Sequence, residues 1–142
     1  MIGFSYIDTP ILKFKKSIVK KCIKDLISNE GLVAKDISFV FCSDEYLLSI
    51  NQQYLKHDFY TDIITFDYCD EVYISGDLFI SVDRVIENAS NNNVNFADEL
   101  RRILFHGVLH LCGYKDKNVK YKTVMSAKED FYLNLFKSDL IL

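Results

Sequence analysis

The 142-residue sequence has one proline, five glycines, no tryptophan and four cysteines without a CxxC pair. So little proline and glycine excludes a loop-rich or low-complexity chain. A hydrophobic content of 49% excludes a disordered one. Cys22, Cys42, Cys69 and Cys112 are widely spaced among apolar neighbours, which argues against a disulfide scaffold or zinc ribbon and predicts reduced, mostly buried thiols in a cytoplasmic protein. No run approaches ~18 apolar residues, so no membrane span is expected. The opening MIGFSYIDTP lacks the basic and apolar regions of a secretory leader. The net charge of −3 offers no overall electrostatic hold on nucleic acid. Two stretches are nevertheless basic: Lys13, Lys15, Lys16, Lys20, Lys21 and Lys24, then Lys115, Lys117, Lys120 and Lys122.

Residues 2–7 are apolar enough for a first strand. Thr9-Pro10 reads as a cap with proline at the first helical position, opening a helix over about 10–29. On that helix Ile11, Phe14, Ile18, Cys22 and Leu26 recur at helical spacing, and Lys13, Lys16, Lys20 and Lys24 line another face. That lysine row is read first as a solvated face and second as an RNA-binding one. ISFVFCS (37–43) is β-branched and aromatic and predicts a buried strand; Ser43 then caps a short helix. TDIITFDY (61–68) and VYISGDLFIS (72–81) predict two strands joined by a hairpin. Helices are expected at about 82–93, 96–112 and 123–137. The chain therefore predicts one α+β domain over 1–142, α/β-like, with a single mixed sheet of about four strands covered by about five helices, in the order βαβαββααα.

The chemistry concentrates in the 96–112 helix. His106 and His110 are four residues apart, so both imidazoles leave one face with Cβ atoms about 5–6 Å apart, a separation that one metal ion bridges. Their neighbours are apolar, so the rings need partners. Gly113 ends the helix and lets the chain turn back. Asp116 follows within about 10 Å of reach and supplies a third donor. From the residues alone, a His106–His110–Asp116 metal site and a pair of hydrogen-bonded core histidines explain this pattern equally well. Gly107 stands where zinc peptidases carry a glutamate that serves as general base, which disfavours that route to peptide hydrolysis.

HGVLHLCGYKD (106–116) resembles the HGxLHLxGYDH signature of the YbeY family, bacterial endoribonucleases of ribosomal-RNA maturation. Asn51 and Tyr54 fall in a stretch similar to that family's Asn-x-x-Tyr, TDIITF (61–66) resembles its TDVLSF, and GDLFIS (76–81) resembles its GDIxIS strand. The resemblance spans roughly residues 37–130. It implies a mixed sheet of about four strands covered by helices, and a single zinc ion held through the two histidines and the residue at Asp116, where the family has a third histidine. It implies cleavage of single-stranded RNA, in maturation of the 16S ribosomal-RNA 3′ end and ribosome quality control, with the ribosome or its proteins as partners. Asp116 in place of histidine leaves other divalent ions open. Leu55 stands where the family tends to carry an arginine, and Lys56 or His57 is the candidate substitute.

Asp62 is a tentative catalytic carboxylate; it and Asp77 could each orient a ligand histidine or cap a strand. Lys56, His57, Lys115, Lys117, Lys120 and Lys122 are candidate RNA contacts, the last four read as a basic loop beside the ion. Tyr54, Phe59 and Tyr60 could stack bases or fill the core. Glu129 is read as an exposed helix residue. Two rival functions remain open: a ribosome-assembly factor that binds RNA or protein around a structural metal, and a metal hydrolase of another substrate.

Overall fold

The computed structural model describes residues 1–137. Strand β1 is Ile2–Ile7, β2 Val33–Cys42, β3 Ile63–Asp67 and β4 Tyr73–Ser81; the helices are α1 Lys16–Asn29, α2 Asp44–Leu55, α3 Val82–Asn91, α4 Phe96–Leu111 and α5 Val119–Leu135. The sheet order is β1-β2-β4-β3. β2 is parallel to both β1 and β4, while β3 is antiparallel to β4. The mixed sheet, five helices and element order match the sequence expectation.

Each face of the sheet buries one of the two side-chain sets that alternate along a strand. On one face Phe39, Phe41, Leu78 and Ile80 meet Ile23 and Leu26 of α1 and Leu104, Phe105 and Val108 of α4. On the other, Cys42 and Ile64 pack with Leu47 and Ile50 of α2. Gly107 allows α4 to lie close to the sheet, because a Cβ there would stand 2.3 Å from Leu78 Cδ2 and 2.8 Å from Ile63 Cδ1. The helix that bears the histidines is thereby pressed against β3 and β4.

Several boundaries depart from the sequence reading. α1 begins at Lys16, six residues after Pro10, and the 10–15 segment is irregular. Side-chain ties override the proline start: Phe14 meets Phe4 edge-on at 5.0 Å, and the Tyr6 hydroxyl donates to the Leu12 carbonyl. Within the lysine row, Lys16 and Lys20 lie over the rings of Tyr6 and Phe4. β2 starts four residues before the expected 37, past a register shift between Ala34 and Ile37. α5 starts at Val119 because the Asn118 side chain accepts from the Tyr121 N–H, so Lys120 and Lys122 belong to a helix and not to a loop.

Candidate metal centre

α4 is built to end where the site begins. The Asn95 side chain accepts from the Asp98 N–H at 2.8 Å, and Asp98 and Glu99 occupy the positive end of the helix dipole. At the other end the Tyr114 N–H donates to the Leu109 carbonyl and the Gly113 N–H to the His110 carbonyl. This is the paired bonding of a Schellman stop, with Gly113 at φ 106° in the left-handed region that glycine tolerates. The turn places the Tyr114 carbonyl 3.0 Å from His110 Nδ1 and returns Asp116 to the histidine face.

The three expected donors converge. His106 Nε2 and His110 Nε2 are 3.0 Å apart, and Asp116 Oδ2 is 3.3 Å from each. Around a tetrahedral ion with donors at about 2.0–2.1 Å, neighbouring donors stand about 3.3 Å from one another. The observed triangle is that spacing, slightly tightened. His110 Nδ1 faces a carbonyl, which only accepts, so Nδ1 holds the proton and Nε2 a lone pair. His106 Nδ1 faces Glu129 Oε2 at 2.7 Å, which assigns the same tautomer. With both rings neutral, two lone pairs and a carboxylate oxygen point at one another, an arrangement that either a proton on His106 Nε2 or a metal ion relieves. These residues could hold a metal ion, and the donor set fits a borderline divalent one.

Glu129 corrects the sequence reading. It is 5% exposed, and its second oxygen accepts from Arg102 at 2.9 Å. A sequence signal exists: Met125, Glu129, Tyr132 and Phe136 are all buried and recur at helical spacing, so the glutamate interrupts an apolar stripe and needs a buried partner. Burial disfavours the charged form of His106, but the Glu129 hydrogen bond and the charges of Glu129, Asp116 and Asp62 outweigh it and hold its pKa above the ordinary value. Neither Asp62 nor Asp77 bonds a histidine Nδ1, since Glu129 and Tyr114 take those positions.

The donors line a groove of about 590 Å³ with Leu55, His57, Phe59, Asp62, Ile63, Thr65, Asp67 and Lys115. Asp62 accepts from Asn88 at 3.2 Å. Burial raises its pKa, partly offset by the nearby His106 charge and by its own and the Ile63 N–H groups. His57 stacks on Phe59 at 5.1 Å. Tyr54 instead meets Phe66 edge-on, and Tyr60 lies under Arg84 with its hydroxyl toward Glu45. Of the three aromatic candidates only Phe59 lines the groove. Among the candidate lysines only Lys115 does so; Lys120 lines a neighbouring hollow with Gly113 and Tyr114. Lys56 caps α2 in the left-handed conformation, and Lys56, Lys117 and Lys122 line neither cavity. No helix among the described residues is long and apolar enough to cross a membrane.

Comparison with known proteins agrees with this layout. The solution structure of a Thermotoga maritima protein matches with a TM-score of 0.64 at 22% identity, covering 96% of this chain and 93% of that one, and so shares the fold. A curated Endoribonuclease YbeY of Flavobacterium psychrophilum is 47% identical over 137 residues, 96% of both chains. Those of Porphyromonas gingivalis and Karelsulcia muelleri are 44% and 40% identical, covering 90% and 99% of this chain and 85% and 99% of their own. The family model described as Endoribonuclease YbeY matches residues 7–137, from the end of β1 to the last described residue, and this chain belongs to that family.

Proposed function

We propose that the chain is a metal-dependent endoribonuclease that cleaves single-stranded RNA in ribosomal-RNA maturation, with one zinc ion held by His106, His110 and Asp116. The observation that carries this reading is the donor triangle of 3.0 and 3.3 Å edges beside an open groove. Its family membership supplies the substrate class. When bound, a divalent ion there supplies Lewis acidity to the attacking water and to the phosphodiester.

The chain's own groups do the rest. Glu129 and the Tyr114 carbonyl hold each imidazole with its lone pair on Nε2. Asp62, whose pKa burial raises, takes the proton released as water attacks phosphorus, acting as general base. Lys115 draws the RNA backbone to its side of the groove, helped by Lys120 and, farther out, by Lys56, Lys117 and Lys122. Phe59, with His57 stacked on it, offers a ring face to an unpaired base. Action on ribosomal RNA places the protein in the cytoplasm, in contact with ribosomal particles.

The test compares wild type, His110→Ala and Asp62→Asn on single-stranded RNA, duplex RNA and peptide substrates, with elemental analysis of each protein. Expected are stoichiometric zinc and single-strand cleavage in the wild type. His110→Ala should lose both while staying folded, and Asp62→Asn should keep the metal and lose about 10²–10⁴-fold in kcat. Cleavage unaffected in folded His110→Ala overturns catalysis through this site, and activity on peptide alone overturns the substrate. A His110→Ala protein that unfolds and cannot be rescued by metal points to the assembly-factor reading with a structural ion.

A further inference from the structure

β3 is an edge strand, and its free edge forms a wall of the groove that holds the donor triad. The direction of its main chain follows from the register. The Ser81 N–H donates to the Asp62 carbonyl and the Tyr68 N–H to the Ser75 carbonyl. In an antiparallel pair such bonds recur at every second residue. Residues 62, 64, 66 and 68 therefore face β4, and the N–H and C=O groups of Ile63, Thr65 and Asp67 face outward. The Ile63 N–H lies beside the Asp62 carboxylate, whose pKa it lowers. At Thr65 no described residue bonds either outward group. A donor and an acceptor on one rigid strand thus stand open beside the proposed reaction centre.

Charge decides how a nucleic-acid strand lies there. Asp62 and Asp67 line the groove from β3 and the residue before it, whereas Lys115 lines it from the turn after α4. A phosphate backbone is repelled by the first wall and attracted by the second, so the bases face β3. Thr65 is two residues from Ile63, which packs against the histidine helix at Gly107. Two strand residues span about 6.8 Å, comparable to one nucleotide of an unstacked strand.

Resting on the endoribonuclease reading above, we propose that the outward N–H and C=O of Thr65 form a subsite that hydrogen-bonds the Watson–Crick edge of one unpaired nucleobase next to the cleaved phosphate. Every base offers a neighbouring donor and acceptor on that edge, so the subsite does not select among the bases. It demands that the edge be free, which a base in a duplex cannot satisfy. The selection is made by main chain and is invisible in residue identity.

The test scans a single-stranded RNA substrate with N3-methyluridine, which blocks the Watson–Crick edge, one position at a time around the cleavage site. Wild type should lose about tenfold in kcat/KM at one position and little at the others. Thr65→Pro removes the outward N–H together with the threonine side chain, a substitution tolerated on edge strands, and should lose a similar factor on unmodified RNA with little further loss on the blocked substrate. Thr65→Ala keeps the main chain and should show the same position-specific loss on blocked substrates as wild type. If wild type cleaves RNA but no blocked position matters, the subsite is refuted while the endoribonuclease reading stands. If wild type cleaves no RNA, both fall. Strong inhibition by an extended lysine-rich peptide, with cleavage indifferent to blocked bases, would assign the edge to a protein strand and overturn the proposal. The base scan decides the matter even if Thr65→Pro fails to fold.

Discussion

Replacing Glu129 by glutamine isolates what a buried carboxylate contributes to a site whose ion it never touches. Glu129 is 5% exposed and accepts from two groups at once, His106 Nδ1 at 2.7 Å and Arg102 at 2.9 Å. Glutamine has the same shape but only one accepting oxygen. Turned toward His106, it presents its NH2 to the Arg102 guanidinium; turned toward Arg102, it presents that NH2 to Nδ1 and favours the tautomer with the proton on Nε2, which cannot bind metal. Either way one contact is lost. Loss of an outer partner to a ligand histidine costs about 10–100-fold in metal affinity, or about 1.4–2.8 kcal/mol. The measurement is competition for zinc against a chromophoric chelator at fixed pH, with thermal unfolding of the metal-free protein alongside to separate affinity from fold. Wild-type zinc affinity in a folded Glu129→Gln protein would refute the tautomer argument.

Three further outcomes are expected. Asp116→His restores the third histidine of the family signature and should retain zinc, whereas Asp116→Ala should lose at least tenfold in affinity by the same titration. Gly76→Ala should destabilise by about 1–3 kcal/mol in chemical denaturation, because its Cβ would stand 2.6 Å from the Phe66 carbonyl oxygen and push β3 from β4. Burial raises the Glu30 pKa, but the Tyr114 and Tyr132 hydroxyls and Lys128 more than offset it and leave it below the ordinary value. The lowered value makes this carboxylate stabilising above the unfolded pKa of about 4.3 and progressively less so as pH falls through the folded one. Glu30→Gln should therefore flatten the acid limb of a stability–pH profile, and an unchanged limb would show that other carboxylates dominate it.

The sequence was most legible where periodicity and local chemistry agree. The strands at 2–7 and 72–81 and the helix bearing the histidines follow from alternation, helical spacing and a glycine stop, and the triad followed from His106, His110, Gly113 and Asp116. It was least legible where distant side chains overrule local signals. Pro10 marks a helix start by itself, but Phe14 is drawn to Phe4 and Phe41 across the sheet, so the helix waits until Lys16. Glu129 reads as one charge among several in α5 until α4 supplies its partners. Asp62 was visible as a carboxylate, but its place in the groove depends on β3 lying at the sheet edge. The outward main chain of Thr65 leaves no trace in residue type.

The dependence of His106 on Glu129, 23 residues later in the chain, also orders events during synthesis. All four strands and the histidine helix precede α5. At roughly 5–20 residues per second, translation from His106 to Glu129 takes on the order of 1–5 s. Throughout that interval the nascent chain carries His106 without the acceptor that fixes it for a metal. Docking of α5 would then be the step that fixes His106 for an ion, so metal competence would follow the assembly of the sheet and the histidine helix and not accompany it.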